Sequence, residues 1–288
     1  MQFDRLRARL FVLASLPVLI AAGLASAVLR TGYIGRLIGS TSEYTLTELL
    51  VQAVISTVLG TVVIGALFWA MQKRAYGARK IIVAMVVSPM LGFVSIFIGE
   101  TFLLVMFKGT SSVLDAIVLI ASLGVSMMAI ALIVLDIVPP LIRNLFVAFY
   151  GSVFGSFLGI TMVTSSTLVI LISVIIEDFF LTAHHPSGVP ARMLETIGSD
   201  PFDYARVKSE SVSVGVGDYV IYSMIVAHAL GYFPWFVAAC TLFLIIVGIL
   251  INITTLVQEE GVLPAIPLPA AIAIIPWFVH VAVLSIVV

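Results

Sequence analysis

The sequence predicts an all-α polytopic membrane protein of nine transmembrane helices, with a cytoplasmic N-terminus and an external C-terminus. Three observations carry this. First, 61% of the 288 residues are hydrophobic and only 10% are charged, against the roughly 25% charged of a soluble globular domain. Second, charges and turn residues divide the chain into nine apolar stretches, at residues 9–29, 48–71, 81–107, 113–138, 144–162, 163–183, 214–233, 235–256 and 265–287. Backbone amides inside lipid must be satisfied within their own segment, so these stretches read as helices rather than strands. Third, Lys and Arg are asymmetric between alternate loops, and cytoplasmic loops hold the excess. With the N-terminus inside, eleven fall on the inner side and only Arg30, Arg36 and Lys108 on the outer side.

Taken in order, the first stretch follows Arg5, Arg7 and Arg9. It is close to the length of a full span of about 20 residues, longer than a signal-peptide core, and so reads as a retained helix. The second to fourth stretches are uninterrupted. The fifth and sixth are separated only by residues 162–167 (MVTSST), a short turn. Between the sixth and seventh lies a polar loop, 184–213, containing Pro186, Pro190 and Pro201 and assigned to the cytoplasm by the charge rule. Its end, 207–214, nearly alternates polar and β-branched residues, which predicts a short strand just before Gly215. The ninth stretch opens with Pro264, Pro267 and Pro269, which prevent a regular helix there. The chain divides into an N-terminal bundle, residues 1–162, and a second part, residues 163–288, within one integrated membrane domain.

Composition excludes several functions. A net charge of −1 offers no basic patch for nucleic acid. Cys240 is the sole cysteine and lies in an apolar stretch, so there is no disulfide framework or cysteine metal cluster. There is no His-Glu-x-x-His, so no zinc site and no cofactor are expected. His228 and His280 stand alone in helices and read as structural.

What remains are acids at membrane depth, each costing at least about 2.5–3.5 kcal/mol near a helix centre. Asp115 sits at a helix N-terminus, where a carboxylate favours the helix dipole, and Asp136 at a helix end; both read as structural. Glu100 lies deeper, with no evident basic partner and no assigned role. Asp178 and Asp218 differ because their depths coincide. Asp178 comes about five residues before the sixth helix ends, and Asp218 about four after the seventh begins. At 1.5 Å per residue both lie roughly 6–8 Å below the same surface, on successive antiparallel helices. Two close carboxylates share a proton and titrate as a coupled system. One then acts as base toward water while the other donates to a carbonyl oxygen. Gly215 and Gly217 leave room for a substrate backbone beside Asp218. Irregular backbone at the start of the ninth helix requires protein or a water-filled cavity around it.

These motifs resemble the presenilin and signal peptide peptidase family of intramembrane aspartyl proteases. Residues 215–218 (GVGD) look like its Gly-x-Gly-Asp, residues 264–267 (PAIP) are similar to its Pro-Ala-Leu motif, and residues 186–196 (PSGVPARMLET) are similar to the stretch after its first catalytic aspartate. Nine spans also match, and the short loop between the two aspartates is closer to archaeal or other microbial homologues. The resemblance implies an aspartic endopeptidase that cleaves transmembrane helices of membrane-protein substrates, with Asp178 and Asp218 catalytic. It assigns substrate contacts to Gly215, Gly217, Pro264, Ala265, Ile266 and Pro267, and implies a multi-pass location in the cell membrane of a microbe. It requires lipid but neither nucleic acid nor an obligate partner subunit. Val212 and Val214 are expected to pair with the unwound substrate by strand addition. Glu177 stands where the family has tyrosine, a third carboxyl that modulates the pair or competes for the role of Asp178. The alternative reading is a proton- or cation-coupled transporter using Asp178, Asp218 and Glu100 as a relay.

Overall fold

The structure is a computed structural model and describes residues 2–30, 45–72, 76–107, 112–183, 201–209, 212–256 and 266–287. The elements in order are α1 (Gln2–Leu29), α2 (Leu46–Gln72), α3 (Tyr76–Phe107), α4 (Ser112–Leu135), α5 (Pro140–Thr161) and α6 (Thr164–Ala183). There follow a 3₁₀ turn (Pro201–Tyr204), the antiparallel hairpin β1 (Arg206–Ser209) and β2 (Val212–Gly215), α7 (Val216–Tyr232) and α8 (Trp235–Ile251), a π-helical turn (Asn252–Leu256), α9 (Pro267–Ala273) and α10 (Ile275–Val287). The nine expected stretches are all helical among the described residues, and the ninth is divided between α9 and α10. Among the described residues, seven helices are long and apolar enough to cross a membrane by length and composition. Large apolar side chains such as Leu119, Ile120, Leu145 and Trp235 are exposed. This is an integral, multi-pass membrane protein whose outer surface suits lipid.

The centre of the bundle is α7, buried without interruption from Ile221 to Ala229. It packs chiefly on α5, then on α1 and α8. Gly151, Gly155 and Gly159 recur every four residues along α5 and form the contact stripe. A Cβ on Gly151 would lie 2.8 Å from Val216 Cγ2, and one on Gly155 2.8 Å from the Val220 carbonyl carbon. Small residues let two backbones approach this closely, which is how helices associate where no hydrophobic drive separates protein from lipid. The seam with α1 is polar. Pro17 has no N–H to give to the Leu13 carbonyl one turn earlier, and Tyr219 Oη donates to that carbonyl at 2.8 Å instead. Ser223 Oγ donates to the Pro17 carbonyl at 3.0 Å.

The alternation at 207–214 yields more than the single strand expected. Two strands pair with Arg206 opposite Gly215 and Val207 opposite Val214. Both valines are buried in a core shared with α1, α3 and α5, because alternation places one side chain in two on the protein face. The stretch 201–213, expected as part of a polar loop, thus carries buried residues, Asp203, Tyr204, Arg206 and Val207. Pro267 and Pro269 were expected to prevent a regular helix, yet they lie in the first turn of α9, where a proline is tolerated. The ninth span breaks instead at Ile274, where Pro276, seven residues past Pro269, cannot donate to the Ile272 carbonyl.

Candidate active site

Asp218 is the third residue of α7. Its Oδ2 accepts the Gly215 N–H at 3.2 Å, so the carboxylate reaches back over the first turn and caps its own helix, as acids do at this position. Asp178 stands five residues before the end of α6, and its Oδ2 accepts the Ile266 N–H at 3.3 Å. That N–H is available because Ile266 precedes the first turn of α9, where no intrahelical partner exists. The two carboxylates lie close enough to interact electrostatically, and Tyr222, one turn along α7 from Asp218, lies in the field of both. Three segments distant in sequence, around 178, 218 and 266, therefore meet at one place.

The remaining expected site residues fall around this point. No side chain or backbone atom would crowd a Cβ placed on Gly217, which is exposed, and its φ is not in the left-handed region. Its missing side chain therefore leaves open space beside Asp218 and meets no conformational need. Gly215 is the N-cap of α7 in extended backbone. Val212 and Val214 lie on β2, whose other edge pairs with no further strand among the described residues; the side chain of Val214 is turned into the core against Val207. Ile266 is buried and Pro267 opens α9. Pro264, Ala265 and the segment 186–196 lie outside the described residues.

Glu177 points elsewhere than Asp178. A Cβ on Gly60 of α2 would meet its carboxylate Oε2 at 3.0 Å, which puts it in the groove between α2 and α6. At the other end of that groove is a cavity of about 600 Å³, where Ser166 Oγ donates to Gln52 Oε1 at 2.9 Å. Glu100 has Asp115 as its charged neighbour. Among the described residues, no group of three or more His, Cys, Asp or Glu is placed to hold a metal ion.

Sequence reasoning missed the role of Gly248 and, although it read His228 as structural, the partners of that histidine. Gly248 of α8 faces α9 so closely that a Cβ there would lie 2.6 Å from Pro269 Cα, in the first turn of the helix that Ile266 caps. His228 is no ligand: one ring nitrogen bonds the Gly159 carbonyl at 2.8 Å, the other Thr164 Oγ1 at 3.0 Å, and the ring stacks on Tyr232. An isolated histidine in an apolar run carries no sequence signal for such partners.

Comparison with known proteins supplies the relationship. Residues 183–288 match the family described as Presenilin. Over that stretch the chain is similar to presenilins. The matched stretch includes Asp218 and the 264–267 segment, whereas Asp178 precedes it, so the pairing of Asp178 with them rests on the geometry above. A search of curated protein sequences finds no match. Among solved structures, the chain is similar to a presenilin family intramembrane aspartate protease, with a TM-score of 0.56 and 15% identity over 96% of this chain and 99% of that one. At that identity the likeness speaks for the fold, and it extends through the first five helices, where the sequence motifs are silent.

Proposed function

We propose that this protein is an intramembrane aspartic endopeptidase that hydrolyses peptide bonds in or near transmembrane helices of membrane-protein substrates. The observation that carries this is the meeting of Asp178 and Asp218, which accept backbone N–H groups from Ile266 and Gly215 respectively, at the N-terminus of α9. The hydrogen bonds fix the orientation of both acids, which is what positioned general acid–base chemistry needs.

In the proposed reaction one acid is ionised and the other protonated. The ionised carboxylate takes a proton from water as its oxygen bonds to the scissile carbonyl carbon, while the protonated partner donates to the carbonyl oxygen. The resulting gem-diol collapses as the amide nitrogen accepts a proton and leaves as an amine. Tyr222 lies beside both acids and contributes polarity there. Open space at Gly217 gives the substrate backbone room next to Asp218. A helical substrate must unwind first, because its carbonyls are otherwise hydrogen-bonded within the helix; the edge of β2 that no other strand pairs with among the described residues supports strand addition as the way the unwound segment is held. The partners in this reading are transmembrane-helix substrates and the surrounding bilayer, with the acids toward the cytoplasmic face of a microbial cell membrane. A relay of Asp178, Asp218 and Glu100 finds less support, since the charged neighbour of Glu100 is Asp115.

The test is incubation of the purified protein in liposomes with a panel of labelled single-span peptides, with fragments read by mass spectrometry. Fragments with wild type, absent with Asp178→Ala and with Asp218→Ala, are expected. Proton or cation flux without fragments from any peptide would establish the transporter alternative instead.

A further inference from the structure

A second polar centre lies beneath the hairpin, apart from the acid pair. Asp203 is 2% exposed. Its Oδ2 accepts from Arg143 Nη2 at 2.9 Å and its Oδ1 accepts from Arg206 Nε at 2.8 Å, with Arg206 Nη2 in ion-pair contact with Oδ1 at 2.7 Å. Arg143 Nη1 is 3.6 Å from Asp136 Oδ1, which also accepts from Tyr204 Oη at 3.2 Å. The guanidinium of Arg143 lies over the Tyr204 ring at 5.2 Å, and Tyr150 Oη donates to the Tyr204 carbonyl at 2.6 Å. Arg143 and Arg206 are 6% and 7% exposed. Asp136 has a φ of 54°, a left-handed conformation uncommon outside glycine. Arg143, Arg206 and Asp203 are thus buried, and with the largely enclosed Asp136 the two cations and two anions are mutually neutralised.

Stability alone does not account for such a group. Buried ion pairs give back most of their attraction in lost hydration, and apolar replacements of similar volume are often as stable. What charges of this kind do supply is a unique arrangement, and the element arranged here is the hairpin. Arg206 opens β1 and is paired directly with Gly215, the residue whose N–H holds Asp218. The Val216 N–H donates to the Ala205 carbonyl at 2.8 Å. A continuous line of fixed contacts therefore runs from Asp136 at the end of α4, through Arg143 on α5, Asp203 and Arg206, to Gly215 and Asp218.

We infer that Arg143, Asp203 and Arg206 are positioning residues that set the height of β2 relative to Asp218, and so select which peptide bond of a strand-paired substrate meets the acids. This rests on the protease reading and on strand addition to β2. Strand pairing has a period of two residues, and a slip of one turns every side chain to the other face. Loosening the anchor therefore shifts the cleaved bond along the substrate as well as slowing cleavage.

The experiment uses the full chain in liposomes with one labelled single-span peptide that wild type cleaves. Arg206→Gln keeps the Arg143–Asp203 bridge and Arg206→Lys keeps the charge without the fork; Asp203→Asn weakens both contacts. Folding is checked by the thermal midpoint in the same detergent, and cleaved bonds by mass spectrometry of both fragments. A displacement of about 1 Å costs up to about 10²-fold in rate. The folded Arg206→Gln protein is expected to lose about 10- to 10²-fold in kcat/KM and to yield new fragments displaced along the peptide, with Arg206→Lys partly restoring the wild-type bond. Fragments identical to wild type from folded Arg206→Gln, at whatever rate, overturn the inference and leave the protease reading standing. A wild type that cleaves no peptide overturns both.

Discussion

Gly248→Ala tests how the ninth span is set in place. A helical Gly→Ala change ordinarily gains up to about 1 kcal/mol, so a methyl that fits would stabilise α8. Here the new Cβ would lie 2.6 Å from Pro269 Cα and 3.2 Å from Pro269 Cβ. Carbon atoms settle at about 3.5–4.0 Å, so α9 must retreat by about 0.9–1.4 Å. Both crowding atoms belong to a proline in the first turn of a helix and have no rotamer to escape into. Overpacking of this kind costs about 1–3 kcal/mol, which outweighs the propensity gain. The retreat also shifts Ile266 relative to Asp178, disturbing the geometry of a hydrogen bond that is already long at 3.3 Å. A hydrogen bond to a charged group contributes about 1.5–3 kcal/mol, equivalent to about 10- to 10²-fold in rate if it acts in the transition state. Thermal unfolding in detergent reads the first effect and peptide cleavage the second. Gly124→Ala on α4, where a Cβ would meet nothing within 4 Å, is the control and is expected to be neutral or slightly stabilising. A Gly248→Ala protein as stable and active as the Gly124→Ala control would refute the packing argument.

Further predictions rest on single contacts. Tyr219→Phe leaves the Leu13 carbonyl without its donor and is expected to cost about 1–3 kcal/mol. Pro17→Ala restores an N–H to the same carbonyl, so the double variant should recover much of the loss; additive losses in a double-mutant cycle would contradict the pairing. Ile266→Pro removes the N–H that holds Asp178 and should lower kcat by about 10- to 10²-fold, whereas Ile266→Ala, which keeps it, should stay within a few-fold of wild type. Equal losses in the two variants would show that the side chain of Ile266 matters and its amide does not.

The spans were readable because lipid imposes one rule on every segment, and apolar runs between charges obey it. Asp178 and Asp218 were readable as a pair because depth along a helix is a linear function of residue number, and both lie a few residues from helix ends on the same side. Other features depended on partners far away in sequence. Asp136 looked like an acid at a helix end close to water, yet it is bound to Arg143 and Tyr204; neither residue is near it in a way that charge spacing alone reveals. The hairpin was half visible: alternation marked β2, while β1 was hidden because one alternating run, 207–214, spreads over most of both strands. The stripe Gly151, Gly155 and Gly159 carried a usable signal, small residues every fourth position, and would have marked α5 as the close neighbour of another helix without saying that the neighbour is α7. The break at Ile274 was likewise marked by Pro276. The turning of Glu177 toward Gly60 follows only from where α2 sits.

The central claim is that Asp178 and Asp218 act on one substrate carbonyl together. The measurement that tests it most directly is an experimental structure with a peptide bearing a hydroxyl isostere in place of the scissile bond. The account predicts the hydroxyl oxygen within about 3.2 Å of a carboxyl oxygen of each aspartate, with the peptide extended beside β2. An isostere hydroxyl held by only one of them, or carboxyls separated by more than about 10 Å with the peptide bound, too far for either hydrogen bonding or proton sharing, would contradict it.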